Sequence, residues 1–312
     1  MDIDPFWDKW NAASIGALVI SPVPLLVLII LERAALRWSA LWLPCWRSMH
    51  PLWILVFRSC AALCMSWFLY SRMVLLDGIF AFYYYTQWTF ALVIIYFVIG
   101  ACISAHGCWI YSKYHPPDNE EANGLLEGDL EENCPLILTY RTKQNRSMPK
   151  LQRYLEEEKH QNARFWGYVM QAIYQASAGA VVLTDIVFWG LLVPFSSDKH
   201  FKVNLITASM HSVNAIFLLL DTFLNSMSFP WFRIGYFILW SCSYVAFQMF
   251  LHNWDLSWGP DLFPELNTPW IILWYFVMAL LHIHCYGFYV LIIKAKNSVF
   301  SKCFPNAYIS SD

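Results

Sequence analysis

Seven apolar stretches of the chain are each long enough to cross a membrane as a helix. They are residues 12–31, 51–70, 82–103, 165–193, 204–224, 231–251 and 269–293. A spanning helix needs roughly 20 mostly apolar residues, and the alternating pattern of a membrane β-barrel is absent from the sequence. Backbone polar groups in lipid must be satisfied within the chain, which helices achieve. The sequence therefore predicts an all-α, multi-pass transmembrane helix bundle of about seven spans.

The composition agrees with a lipid environment. Of 312 residues, 58% are hydrophobic and 13% are charged, whereas soluble domains have about 25% charged residues. The net charge of −2 argues against a general nucleic-acid binder, so the expected partner is the lipid bilayer. Arg58, near the middle of the second stretch, leaves the span count open. It indicates a shallow or irregular helix there, in which case six spans remain possible.

The basic residues indicate the orientation. Fifteen Lys and Arg side chains fall in residues 32–50, 104–164, 225–233 and the C-terminal tail, and four fall in the alternate set of loops. Because basic loops stay cytosolic, we expect a luminal or extracellular N-terminus and a cytosolic C-terminus, in the endoplasmic reticulum or the plasma membrane.

The N-terminus carries three aspartates and one lysine before the first apolar stretch. It does not resemble a cleavable signal peptide.

A long polar loop divides the chain. We expect spans one to three in 1–111, a cytosolic, acidic and largely disordered loop in 112–164, spans four to seven in 165–294, and a cytosolic tail in 295–312. Within the loop, "DNEEANGLLEGDLEE" holds seven acids and no base, a composition with little to bury. It is either a solvated linker or a docking site for a cytosolic protein.

The cysteines and paired histidines do not predict a metal or cofactor site. None of the nine cysteines forms a CxxC pair or a zinc-ligand spacing. His282 and His284 are two residues apart, so a helix points them to different faces. We therefore expect no cofactor and no metal. Cys45 and Cys303 flank spans on the predicted cytosolic side, which makes them candidates for palmitoylation by position.

The fifth apolar stretch carries a stripe of polar residues. Steps of four, three, seven and four residues place them on one helical face: Thr207, His211, Asn214, Asp221 and Asn225. Such a stripe should face the bundle interior or a watered cavity, where ionisable side chains are candidates for function. The alternative is hydrogen bonding between helices, worth about 0.6 kcal/mol per contact.

A threonine in "YYYTQWTF", residues 83–90, falls at the depth of this stripe. From the predicted span ends, Thr89 and His211 each lie about 10 Å inside the membrane and Asp185 about 12 Å, at about 1.5 Å per residue. A hydroxyl, an imidazole and a carboxylate at one level suit a nucleophile, its base and an orienting acid. Asn214 is a candidate supporting residue. An intramembrane threonine can also simply bond its own helix, as we expect of Thr86.

Four segments carry a family resemblance by their order and spacing: "YYYTQWTFALVIIYF", "VFWGLLV", "SMHSVNAIFLLLD" and "FLHNWDLSWGPDLFPEL". Over roughly 80–110 and 165–293 the chain resembles the rolling stone family, and within it the plant multi-pass members. That family is related to the androgen-induced-protein group of membrane threonine hydrolases. These enzymes cleave esters between a fatty acid and a hydroxy fatty acid with one threonine and one histidine. The resemblance implies Thr89, within Trp88-Thr89-Phe90, and His211, within Met210-His211, for these roles.

Two functions are therefore expected. One is an intramembrane lipid-ester hydrolase whose substrate is an acyl lipid. The other is a non-catalytic membrane scaffold, receptor-like or fusion-related protein, since animal members of the rolling stone family are linked to myoblast fusion. The androgen-induced hydrolases are shorter and lack the long 112–163 loop.

Overall fold

The computed structural model describes residues 37–114, 165–195, 205–253 and 271–309. Its long elements are all helices: α1 Leu52–Arg72, α2 Tyr85–Tyr114, α3 Phe165–Asp185, α4 Leu205–Leu224, α5 Ile234–Asn253 and α6 Ile271–Cys303. No strand occurs in these ranges, so the predicted all-α class is confirmed. Six of the seven predicted spans correspond to these helices. The first predicted span, 12–31, and the acidic loop segment 118–132 lie outside the described residues.

Several short elements modify the helix ends. A 3-10 turn, Trp38–Leu41, precedes α1, and another, Trp231–Arg233, precedes α5. Two helices widen at their C-terminal ends. α1 continues as a π-helix over Met73–Asp77 and then as a 3-10 turn over Gly78–Tyr83, while α3 continues as a π-helix over Ile186–Leu192.

Five described helical segments are long and apolar enough to cross a membrane. They are Leu52–Leu75, Tyr85–Tyr114, Phe165–Leu192, Leu205–Leu224 and Phe276–Cys303, and α5, with 20 residues, is a sixth apolar helix. Large apolar side chains point outward from the bundle, with Leu63 73% and Trp67 66% exposed. Exposed apolar surface on this scale suits lipid rather than water. The chain is an integral membrane protein.

Helix α3 lies at the centre of the bundle and contacts α2, α4, α5 and α6. Its middle reads "ASAGA", residues 176–180, and all five residues are buried. Small residues let transmembrane helices approach closely. A Cβ placed on Gly179 would lie 2.4 Å from the Phe237 ring of α5, so glycine is what permits this contact.

Helix α1 runs antiparallel to both α2 and α4, which are therefore parallel to each other. The contacts that show this are Arg58–Ser104 and His50–Tyr111 for α2, and Arg58–Asp221 and Arg72–Thr207 for α4. The common direction of α2 and α4 allows depths along them to be compared directly.

The prediction of an irregular helix around Arg58 was wrong. α1 is a continuous α-helix, and Arg58 is completely buried on its inner face. Its Nε atom donates to Asp221 Oδ1 at 2.8 Å, and Nη1 donates to the Leu41 carbonyl at 2.7 Å and to Ser104 Oγ at 2.8 Å. Because the charge is paired inside the bundle, the helix does not have to bend to bring it to the surface.

The C-terminal end of α6 packs against the rest of the bundle. The helix reaches Cys303, beyond the predicted end of the span at residue 293. Buried Lys296 donates from Nζ to the carbonyls of Thr222 and Asn225, at 2.7 Å each, and so caps the end of α4. The backbone of Ile309 then bonds the Cys45 carbonyl at 2.8 Å. Lys296 and the backbone of Ile309 therefore anchor this segment to the bundle, while the side chains of residues 301–306 are exposed.

Candidate functional site

His211 on α4 and Asp185 at the end of α3 form a polar pair inside the bundle. His211 Nδ1 lies 3.1 Å from Asp185 Oδ1, and the two side chains are 4% and 19% exposed. A carboxylate only accepts hydrogen bonds, so Nδ1 carries the hydrogen and, in the neutral ring, Nε2 keeps its lone pair. This is the arrangement of a general base held by an orienting acid.

The change of helix type after Asp185 shapes this pair. The π-helix Ile186–Leu192 begins at the next residue, and π turns occur often at functional sites. Phe188, on this wider turn, stacks on the His211 ring with centroids 3.9 Å apart and planes 9° apart. His211 is thus held at one nitrogen and on one face. Phe188 was not predicted, because nothing in "VFWGLLV" distinguishes it from a lipid-facing aromatic residue.

Four of the five predicted stripe residues are buried in the bundle interior: His211, Asn214, Asp221 and Asn225. The fifth, Thr207, is half-buried, and its Oγ1 accepts a hydrogen bond from Arg72 Nη1. Asn214 lies one turn along α4 from His211, and its Oδ1 atom has no hydrogen-bond partner among the described residues. Asp221 and Asn225 belong instead to the Arg58 network. The stripe therefore has two parts. His211 and Asn214 are candidates for function, whereas Asp221 and Asn225 hold the helices together.

Thr89 is completely buried on α2, but its hydroxyl is not bonded to His211. Within the part of the chain that the structure describes, Thr89 Oγ1 has no hydrogen-bond partner. The Tyr85 hydroxyl, one turn away, is close to it, although the two oxygens do not meet hydrogen-bond geometry. A buried hydroxyl without a hydrogen bond costs stability.

Two of the three residues predicted at a common depth are in contact. His211 and Asp185 form the pair described above, 3.1 Å apart, whereas Thr89 Oγ1 has no hydrogen bond to either of them. The Tyr96 hydroxyl donates to Asp221 and holds α2, which carries Thr89, against α4, which carries His211.

An apolar groove of about 350 Å³ adjoins Asp185 between α3, α4 and α6. Its lining includes Val182, Ala215, Leu219 and Tyr289, and Asp185 is its one charged lining residue. At its rim, Ile186 is 44% and Phe288 is 55% exposed, so the groove opens sideways, towards lipid. A groove with an almost wholly apolar lining suits an acyl chain.

Comparisons with protein-family models, with curated proteins and with solved structures find no significant match. Among the described residues, no group of three or more His, Cys, Asp and Glu side chains is placed to hold a metal ion. The His211–Asp185 pair and the groove beside it are the features of the described residues that bear on function.

Proposed function

We propose that this membrane protein is an intramembrane hydrolase of acyl-lipid esters, of the fatty acid ester of hydroxy fatty acid type. The observation that carries the proposal is the His211–Asp185 pair, of which Asp185 also lines the apolar groove. An acyl chain that enters sideways from the bilayer fills the groove and brings its ester group to the level of the pair. The resemblance to the rolling stone family supports the same chemistry.

Thr89 is assigned as the nucleophile. Its hydroxyl proton passes to His211 Nε2 through a bridging water, as Oγ1 bonds to the ester carbonyl carbon. The carbon–oxygen bond to the leaving group then breaks, and the alkoxide takes the proton from His211. Water, activated by the same histidine, hydrolyses the acyl-threonine. Asn214, which is buried one turn from His211, is the candidate donor to the developing oxyanion.

The wider organisation is part of the same proposal. About seven spans cross the membrane, the first of them at 12–31, with a luminal or extracellular N-terminus and a cytosolic C-terminus. The membrane is that of the endoplasmic reticulum or the cell surface. The 112–164 loop then faces the cytosol, where a protein partner can bind it.

The test is turnover of long-chain fatty acid esters of hydroxy fatty acids by the purified full chain in lipid nanodiscs. We expect Thr89→Ala and His211→Gln to lower kcat by 100-fold or more, since a base contributes about 10²–10⁴-fold. Thr86→Ala and His284→Gln serve as matched controls that keep turnover. Equal turnover by the wild type and His211→Gln would overturn the assignment.

A non-catalytic membrane scaffold, receptor-like or fusion-related, is the second candidate. The observation that favours it is the lack of a hydrogen bond between Thr89 and His211, which leaves the His211–Asp185 contact as a tie between α3 and α4. Under this function, Asp185→Asn and His211→Gln lower stability equally and the wild type hydrolyses no ester. Deletion of 118–132 would then abolish function in cells, while Thr89→Ser would not.

A further inference from the structure

A second polar cluster joins α2, α5 and α6, and neither His211 nor Asp185 takes part in it. Ser241 Oγ lies 2.9 Å from His282 Nε2 and 2.8 Å from the Tyr85 hydroxyl. His282 Nδ1 lies 2.7 Å from the Met278 carbonyl, one turn earlier on α6. All three side chains of the cluster are half-buried, so the site is shielded but not closed.

The Met278 carbonyl determines the direction of each hydrogen bond in the cluster. The Met278 carbonyl only accepts, so His282 Nδ1 carries its hydrogen, and in the neutral ring Nε2 accepts. Ser241 therefore donates its hydroxyl hydrogen to Nε2. Its oxygen in turn accepts from the Tyr85 hydroxyl. A hydroxyl bonded to an imidazole, which is itself oriented through its other nitrogen, is the signature of an activated nucleophile.

The packing around His282 fixes the plane of its ring. Phe237 stacks on it, with centroids 4.6 Å apart and planes 26° apart, and Phe237 is itself completely buried against Gly179. The imidazole is therefore held by a carbonyl, a hydroxyl and an aromatic face.

Ser243 and His284, on the same two helices, do not form the contact that Ser241 and His282 form. Ser243 Oγ donates to the Leu239 carbonyl of its own helix at 2.8 Å, and His284 Nδ1 meets the Leu280 carbonyl at 2.7 Å. Both of these side chains are exposed, and within the described ranges neither has a hydrogen bond to another helix. Ser241 and His282 differ in that they reach each other across two helices.

We propose that Ser241 is the nucleophile of a second acyl-transfer site, with His282 as its base, and that its substrate is a fatty acyl ester of the membrane. Ser241 Oγ bonds to the carbonyl carbon as its proton moves to His282 Nε2. The carbon–oxygen bond to the alcohol breaks, and the alcohol leaves with that proton. Water, deprotonated by His282, then hydrolyses the acyl-serine to a free fatty acid and regenerates Ser241.

The test is labelling of the purified full chain in nanodiscs with a fluorophosphonate probe, followed by peptide mapping. We expect labelling at Ser241, none in Ser241→Ala, and at least a tenfold slower rate in His282→Gln. The wild-type rate should rise with pH as His282 loses its proton, and His282→Gln should lose that dependence. Ser243→Ala and His284→Gln should label as the wild type does, and the unfolding midpoint of each variant separates loss of reactivity from loss of fold.

The outcomes separate this site from the one proposed above. Ester turnover that survives in Thr89→Ala and His211→Gln but is lost in Ser241→Ala supports the Ser241 site and overturns the Thr89 assignment. Labelling of Thr89 alone does the reverse. An unlabelled wild type with a normal unfolding midpoint, or a Ser241→Ala variant that labels normally, overturns the Ser241 proposal.

Discussion

The Arg58 guanidinium of α1 and the Asp221 carboxylate of α4 form two hydrogen bonds, at 2.8 Å and 3.3 Å, and both side chains are completely buried. Asp221 also accepts from the Tyr96 hydroxyl and, at 2.8 Å, from Asn225 Nδ2. A buried carboxylate is tolerated when it is paired and fully hydrogen-bonded. This network ties α1, α2 and α4 together.

Breaking the pair from one side should destabilise the bundle strongly. Arg58→Met leaves the Asp221 carboxylate without its counter-charge, and Asp221→Asn leaves the guanidinium without its own. Each change should lower the free energy of unfolding by about 3–5 kcal/mol. Denaturant titration of the purified protein in detergent micelles measures this, with helical circular dichroism as the signal.

The double variant Arg58→Met/Asp221→Asn is the control for that experiment. It removes both charges, so it should cost much less than the sum of the two single changes. If the double variant lowers the free energy of unfolding by the sum of the two single changes, within about 0.5 kcal/mol, a direct interaction between Arg58 and Asp221 is contradicted.

Helix positions could be predicted from the sequence, but helix partners could not. Apolar stretches of spanning length located α1 to α6, and the polar stripe on α4 correctly predicted its buried face. The pairing of Arg58 with Asp221 joins residues 163 positions apart, which no local pattern encodes. α2 and α5 are apolar around their whole circumference, so periodicity does not show which face points inward. The Ser241–His282 contact depends on that rotation.

Contacts within the candidate site could not be predicted from the sequence either. Sequence placed Thr89, His211 and Asp185 at one depth, but span ends read from hydropathy are uncertain by a few residues. Two residues on an α-helix shift a side chain by about 3 Å. That is enough to break a hydrogen bond, and His211 and Thr89 are not hydrogen-bonded to each other.

The two cysteines considered for palmitoylation should differ in reactivity. Cys45 is completely buried and its Sγ donates to the Phe223 carbonyl at 3.1 Å, whereas Cys303 is exposed. Burial raises the pKa of the Cys45 thiol, so less of the reactive thiolate forms at a given pH. N-ethylmaleimide at about pH 7 should modify Cys303 quickly and Cys45 only after unfolding, as measured by peptide mass spectrometry. Equal modification rates in the folded protein would contradict the buried position of Cys45.

The contact of Gly179 with Phe237 should tolerate no added methyl group. Gly179→Ala places a Cβ 2.4 Å from the Phe237 ring, and a buried ring cannot move aside freely. Overpacking of this kind costs about 1–3 kcal/mol, and the thermal unfolding midpoint in detergent should fall accordingly. Gly190→Ala is the matched control, because a Cβ there meets nothing within 4 Å. Midpoints that fall equally in both variants would indicate a general helix effect instead.

Filling the groove should change substrate length preference without touching the His211–Asp185 pair. Ala215 lines the groove on α4, and Ala215→Phe places a ring in the space proposed for the acyl chain. We expect kcat/KM to fall at least tenfold for long-chain esters and to change little for short-chain esters, because only a long chain needs the full volume. Ile216→Phe is the matched control, since Ile216 is 52% exposed on the lipid-facing side of the same helix. If Ala215→Phe lowers turnover of all chain lengths equally, the groove does not hold the acyl chain.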